Sequence, residues 1–198
     1  DFGKWNINFN GDFYNKVSQS TQTAINDGKL DAESESKVRS NLYAAKLVVS
    51  GPLWKGRLSF GTEEMFTNRR NDFTQSGFSA DAFNHIRQSI YAGFLQYYLN
   101  IGRMNYGAGL RYEYQKTDYY EKDVLQAEQS PSYRDWIPFA SIGYSKDNLN
   151  LAFSYRLNKY SPIYSMLQSS IDYDSKYEYK SGDPHLKPQK QHSFNLSG

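Results

Sequence analysis

Arg111 and Glu113 stand two positions apart in the run Met104-Asn-Tyr-Gly-Ala-Gly-Leu-Arg-Tyr-Glu-Tyr-Gln-Lys116. In an extended chain alternate residues share a face, so the two side chains point the same way. Arg156 and Asn158 repeat the arrangement in Leu149–Asn158. On the wet face of a strand these four would line a solute path, or close into a solvated hydrogen-bonded network. Tyr160, Tyr164, Tyr173, Tyr177 and Tyr179 crowd a second stretch. They suit contact with a sugar or another flat ligand, and equally suit packing of that stretch on itself. Beyond these, chemistry is scarce. His85, His185 and His192 are far apart, and a zinc trio would need a convergence that the spacing does not suggest. Gly51-Pro-Leu-Trp-Lys-Gly-Arg-Leu58 has the outline of a phosphate loop but lacks its Lys-Ser/Thr ending. Gly107-Ala-Gly109 lacks the third glycine of a dinucleotide loop; it reads as a strand face that must admit bulk. Asp172-x-Asp174 lacks the rest of a calcium loop, and no Gly-x-Ser-x-Gly occurs. No catalytic, cofactor or metal site is assigned, and no enzymatic activity is expected.

The elements that position these residues are strands. Leu149, Leu151, Phe153, Tyr155 and Leu157 alternate with Asn150, Ala152, Ser154, Arg156 and Asn158. Such a period means one oily and one polar face. The stretch pairs as a hairpin with Trp136–Ser145 across Lys146-Asp147-Asn148. At about 3.3 Å per residue, ten residues cover about 33 Å, which on a tilted strand matches an apolar band ~25 Å tall. Similar strands are expected over Lys4–Tyr14, Lys37–Ser50, Arg57–Thr67, Ile86–Leu99, Met104–Lys116 and His192–Ser197. In Ile86–Leu99 the alternation is imperfect, since Ile90 and Phe94 fall on the polar side. Tyr112, Tyr114, Trp136 and Tyr155 fall where an outer aromatic girdle would lie.

Composition agrees. The 198 residues include 18 Tyr, 12 Phe and 3 Trp, yet only 38% are apolar. A water-filled interior and ring-rich membrane interfaces account for both facts. The net charge of +2 argues against nucleic-acid binding. There is no Cys, and no apolar run long enough for a transmembrane helix. Polar stretches 18–35, 68–85, 119–134 and 159–190 read as long external loops, while 51–56, 100–103 and 146–148 read as short periplasmic turns. This asymmetry is that of an outer-membrane barrel. The fold expected is all-β: an antiparallel up-and-down meander of about eight long strands, part of a transmembrane β-barrel in a Gram-negative outer membrane. Residues 1–198 form a single barrel segment with outer-membrane lipid as partner.

Gly182-Asp-Pro-His-Leu-Lys-Pro-Gln189 follows Tyr160-Ser-Pro162 and precedes Gln191-His-Ser-Phe-Asn-Leu-Ser197. Gly182, Pro184, Leu186, Lys187 and Pro188 match a corner of the Bacteroidetes-type outer-membrane β-barrel family. The segment resembles the barrel of a TonB-dependent receptor; Asp183 and Gln189 depart from the commonest residues there. The resemblance implies a 22-strand barrel around a plug, TonB-driven uptake of a scarce nutrient, and in some members a surface lipoprotein. It implies that this chain is a segment without the plug, and it leaves the cargo open. The alternatives are a self-contained eight-stranded outer-membrane barrel with a structural or adhesive role, a membrane-embedded hydrolase using His85 or His192, and a soluble β-domain.

Overall fold

A computed structural model describes residues 4–26, 29–76, 81–167, 171–175 and 178–198. The strands are β1 (Asn6–Asn26), β2 (Lys29–Leu53), β3 (Gly56–Ser76), β4 (Ala82–Ile101), β5 (Met104–Glu121), β6 (Val124–Leu125), β7 (Ser132–Lys146), β8 (Leu149–Tyr160), β9 (Ile171–Ser175), β10 (Glu178–Ser181) and β11 (Gln189–Ser197). One antiparallel sheet runs β1-β2-β3-β4-β5-β7-β8-β11, with β6 appended to β5. The meander is the expected one. Among the described residues β1 and β11 pair on one side only and form the two edges. A separate β9–β10 hairpin lies against β1 and β2, having crossed from the far end of the sheet.

Three two-residue turns close one end, at Trp54-Lys55, Gly102-Arg103 and Asp147-Asn148. The first residue of each is left-handed, with φ of 52°, 59° and 51°. That conformation suits the twist of a tight hairpin. Gly102 adopts it freely, whereas Trp54 does so against its Cβ.

The opposite, mouth end corrects the expectation of long loops. Residues 18–26 and 29–35 continue β1 and β2 in ladder with one register shift near Ala24, and 68–76 and 82–85 continue β3 and β4. β2 reaches 25 residues. Past the apolar band the outer face no longer meets lipid, so the two-residue apolar period fades while the backbone ladder goes on, with Asn71, Phe73, Asn84 and Ile86 still buried on the inner face. The stretch 119–134 holds the end of β5, then β6 and a single 3-10 turn at Ala127–Gln129. The described residues of 161–188 leave the sheet, as 126–131 do between β6 and β7.

The two faces differ as the alternation requires. Outward stand Ile7, Phe9, Leu47, Phe60, Leu95, Leu110, Leu151 and Phe153, all at least 40% exposed, with none of the described residues covering them. Rings border this band toward the mouth: Phe13 with Tyr43, Phe66 with Tyr91, Tyr91 with Tyr114, Tyr112 with Trp136, and Tyr155 with Phe194. The row steps down the ladder from β3 to β8. Phe66 faces Ser89, two residues mouthward of Tyr91, and Tyr114 faces Arg134, two residues mouthward of Trp136. Such stagger keeps a girdle level when strands tilt.

Candidate functional site

The inner face carries seven charges that alternate in sign across six strands. Lys46 on β2 lies 3.3 Å from Glu63 on β3. Glu63 lies 3.2 Å from Arg111 on β5, which lies 3.0 Å from Glu113. Glu113 accepts from Lys159 on β8 at 2.9 Å, and Lys159 sits 2.8 Å from Asp135 on β7. Asp135 ends the chain on Lys190 of β11, at 2.6 Å. β4 contributes a small residue here: Ala92, 7% exposed, faces both Glu63 and Glu113, so Arg111 can reach across it. Lys159 also donates to Gln115 Oε1 at 3.0 Å.

Arg111 and Glu113 therefore share a face, as the spacing required. Lys159, Glu63 and Asp135 went unnoticed in the sequence. The β7–β8 ladder ends at Phe139 and Arg156. Up to that point Arg156 faces inward and lies 5.8 Å over the Phe139 ring. Lys159, three residues on and of opposite parity, nonetheless meets the inner carboxylates, because β8 is no longer held to β7. Asn158 bonds Ser193 on β11 at 3.1 Å.

Below this chain of charges three rings lie against neighbouring glycines. A Cβ on Gly61 would meet Phe94 at 2.8 Å, and one on Gly107 would meet Tyr98 at 2.9 Å. A Cβ on Gly109 would overlap the Phe139 ring. Glycine admits the bulk here, as expected of Gly107 and Gly109. The same packing accounts for Phe94 in the broken alternation of β4, since its ring occupies the space over Gly61. Rings, charges and strand ends enclose an open hollow of 680 Å³. Arg111, Glu113, Arg156, Asn158 and Tyr160 all border it.

The segment after β8 folds back onto this face. A 3-10 turn, Tyr164–Leu167, packs Leu167 with Ile86 and Tyr119. Tyr164 donates to Gln88 Oε1 at 2.9 Å, and Arg69 lies 5.8 Å over its ring. Burial holds the Tyr164 hydroxyl above the ordinary tyrosine range, so it stays a donor. Pro162, Pro184, Leu186 and Pro188 pack with Ile86 and Tyr119 around a nearly filled crevice. In the corner, Asp183 accepts the His185 backbone N–H at 2.8 Å, which draws its carboxyl below the usual range. An asparagine side-chain oxygen at this position can accept the same bond.

Of the tyrosines expected at an external ligand, Tyr160 is exposed and Tyr164 points into the wall. The Tyr173 and Tyr179 side chains and all of Tyr177 lie outside the described residues. The histidines stay apart. His85 pairs with Asn68 and stacks on Tyr120, His185 pairs with Asp183, and His192 pairs with Tyr155.

A meander with an uncovered apolar exterior, a stepped ring girdle and a charged interior is the wall of an outer-membrane barrel. The profile of the outer membrane protein beta-barrel family matches residues 2–198, and the chain belongs to that family. Its place is the outer membrane of a Gram-negative bacterium. A comparison with curated proteins returns no match.

Proposed function

We propose that this chain forms part of the wall of a TonB-dependent outer-membrane transporter, taking up a nutrient whose identity is open. The observation that carries this reading is the corner Gly182–Gln189. Its residues resemble the receptor barrels, and it holds a mouth segment down inside a charged wall rather than leaving it in the medium. The edges favour a ring larger than eight strands. Unpaired strand groups in hydrocarbon cost several kcal/mol each, and β1 and β11 do not satisfy one another. In this reading further strands complete the ring, a plug faces the alternating charges, and a surface lipoprotein can cover the mouth. Arg111, Glu113, Arg156 and Asn158 line the path, while Tyr160, Tyr164, Tyr173 and Tyr177 belong to the segment that meets cargo. No catalytic step is ascribed to the chain.

The test pairs two measurements on the full-length protein in cells. Photocrosslinking to the periplasmic domain of TonB is expected to give an adduct that disappears when the membrane is de-energised. Cysteines scanned along Asn6–Asn10 and Phe194–Ser197 are expected not to form a disulfide. Efficient disulfides with no TonB adduct would overturn the reading in favour of the self-contained eight-stranded barrel.

A further inference from the structure

The geometry points to a site for the phosphate-bearing headgroup of an outer-leaflet glycolipid, on the outer face of β4, β5 and β7, gripped by Arg87 and Arg134 with Lys116 between them. The inference rests on the outer-membrane location and is independent of the transport reading.

Place comes first. On each strand the cation stands mouthward of a lipid-facing ring. Arg87 precedes Tyr91 on β4, Lys116 follows Tyr114 on β5, and Arg134 precedes Trp136 on β7. The register puts Arg134 opposite Tyr114 and Lys116 opposite Ser89 and Ser132. Two strand spacings of about 4.8 Å and four residues of register, from Asp118 to Tyr114 on β5, separate the outer members, so the backbones of the three cations span about 16 Å. Headgroups lie at this level, directly above the acyl chains that the rings border.

Chemistry comes second. The Arg87 guanidinium lies 5.4 Å over the Tyr120 ring, and that of Arg134 lies 5.8 Å over Tyr114. Among the described residues neither makes an ion pair. A ring beneath a guanidinium fixes its plane by cation–π attraction and leaves the N–H edges free. Those edges match a phosphate bidentately. The carboxylate opposite Arg87 in the ladder, Asp118, is bound to Lys116 at 3.1 Å. Arg70, the next cation on this face, is taken by Asp72 and Asp123, each at 3.3 Å. Exposed arginines left without carboxylates beside a membrane border are what an anionic headgroup would complete. The lipid is favoured over free phosphate because the rings immediately below hold the acyl chains of the same molecule.

The test is native mass spectrometry of the full-length protein in detergent, with a diphosphorylated glycolipid of the lipid A type as probe. The wild type should retain it at least tenfold better than its dephosphorylated form. Arg87→Gln with Arg134→Gln should remove that preference. Arg87→Lys with Arg134→Lys should keep part of it, since charge remains but the fork is lost. Lys55→Gln, at the opposite end, should change nothing. Folding is followed by the heat-dependent shift in gel mobility. If the double glutamine variant gives no folded band, Lys116→Gln and the phosphorylated-to-dephosphorylated ratio on the wild type decide instead. Equal retention of the two lipids, displacement by inorganic phosphate alone, or unchanged preference in the folded glutamine variant would each overturn the site.

Discussion

Lys159 Nζ lies 2.8 Å from Asp135 Oδ2, and both side chains are 5% exposed. The lysine comes from β8 and the aspartate from β7, beyond the point where the two strands are laddered. The ion pair thus replaces backbone bonds in holding the mouth end of β8 against its neighbour. The same lysine satisfies Glu113 at 2.9 Å, so one cation serves two carboxylates.

Removing Lys159 should therefore be costly. Lys159→Met leaves Glu113 and Asp135 facing each other, with Arg111 and Lys190 as their remaining partners. Breaking a buried pair on one side costs about 3–5 kcal/mol. Unfolding of the full-length protein from bilayers in denaturant should show a loss of that order. Adding Asp135→Asn should recover part of it, because one uncompensated charge goes. A loss below about 1 kcal/mol would mean that water, not lysine, satisfies the carboxylates.

The glycines make a paired prediction. A Cβ on Gly61 would overlap the Leu47 carbonyl, which cannot move without the strand. One on Gly93 meets nothing within 4 Å. Gly61→Ala should destabilise by about 1–3 kcal/mol, the usual cost of overpacking, and Gly93→Ala by much less. Thermal stability by gel shift, measured on both, checks the order.

Much of the wall was legible because lipid enforces a period on one face. The Leu149–Tyr155 alternation, the outward Tyr112 and Trp136, and the tight turn at Asp147 followed from that rule, whereas Leu157, expected on the oily row, is buried against the inner hollow. Legibility ended where the lipid ends. Residues 18–26 and 29–35 lose their apolar period because no lipid faces them there, although the ladder continues. Lys159 carried no signal: it fell at the start of the stretch 159–190 read as an external loop, and the departure of β8 from β7 turns it in. Phe94 looked like an irregularity until the register set it over Gly61. Tyr164 gave no hint of pointing inward, since its partner Gln88 lies on a strand far away in sequence.

Asp183 gives the pH dependence of the mouth corner. Its folded pKa is lowered, first by the His185 backbone N–H and then by the His185 ring. A lowered carboxylate pKa means that the stabilisation is present above the unfolded value near 3.9, and is lost as pH falls through the folded value. Hydrogen exchange at the His185 amide should therefore show more opening below about pH 4. Asp183→Asn should keep the turn and abolish that dependence. An unchanged acid response in the asparagine variant would place its origin elsewhere.

One face of this sheet meets hydrocarbon and the other meets water or protein. Spin labels placed one at a time at Leu151, Ala152, Phe153 and Ser154 of the full-length protein in bilayers test it most directly. Accessibility to oxygen should be high at Leu151 and Phe153 and low at Ala152 and Ser154, and accessibility to a polar nickel reagent should not follow oxygen at the first two. High nickel accessibility at Leu151 and Phe153, with no two-residue alternation, would contradict it.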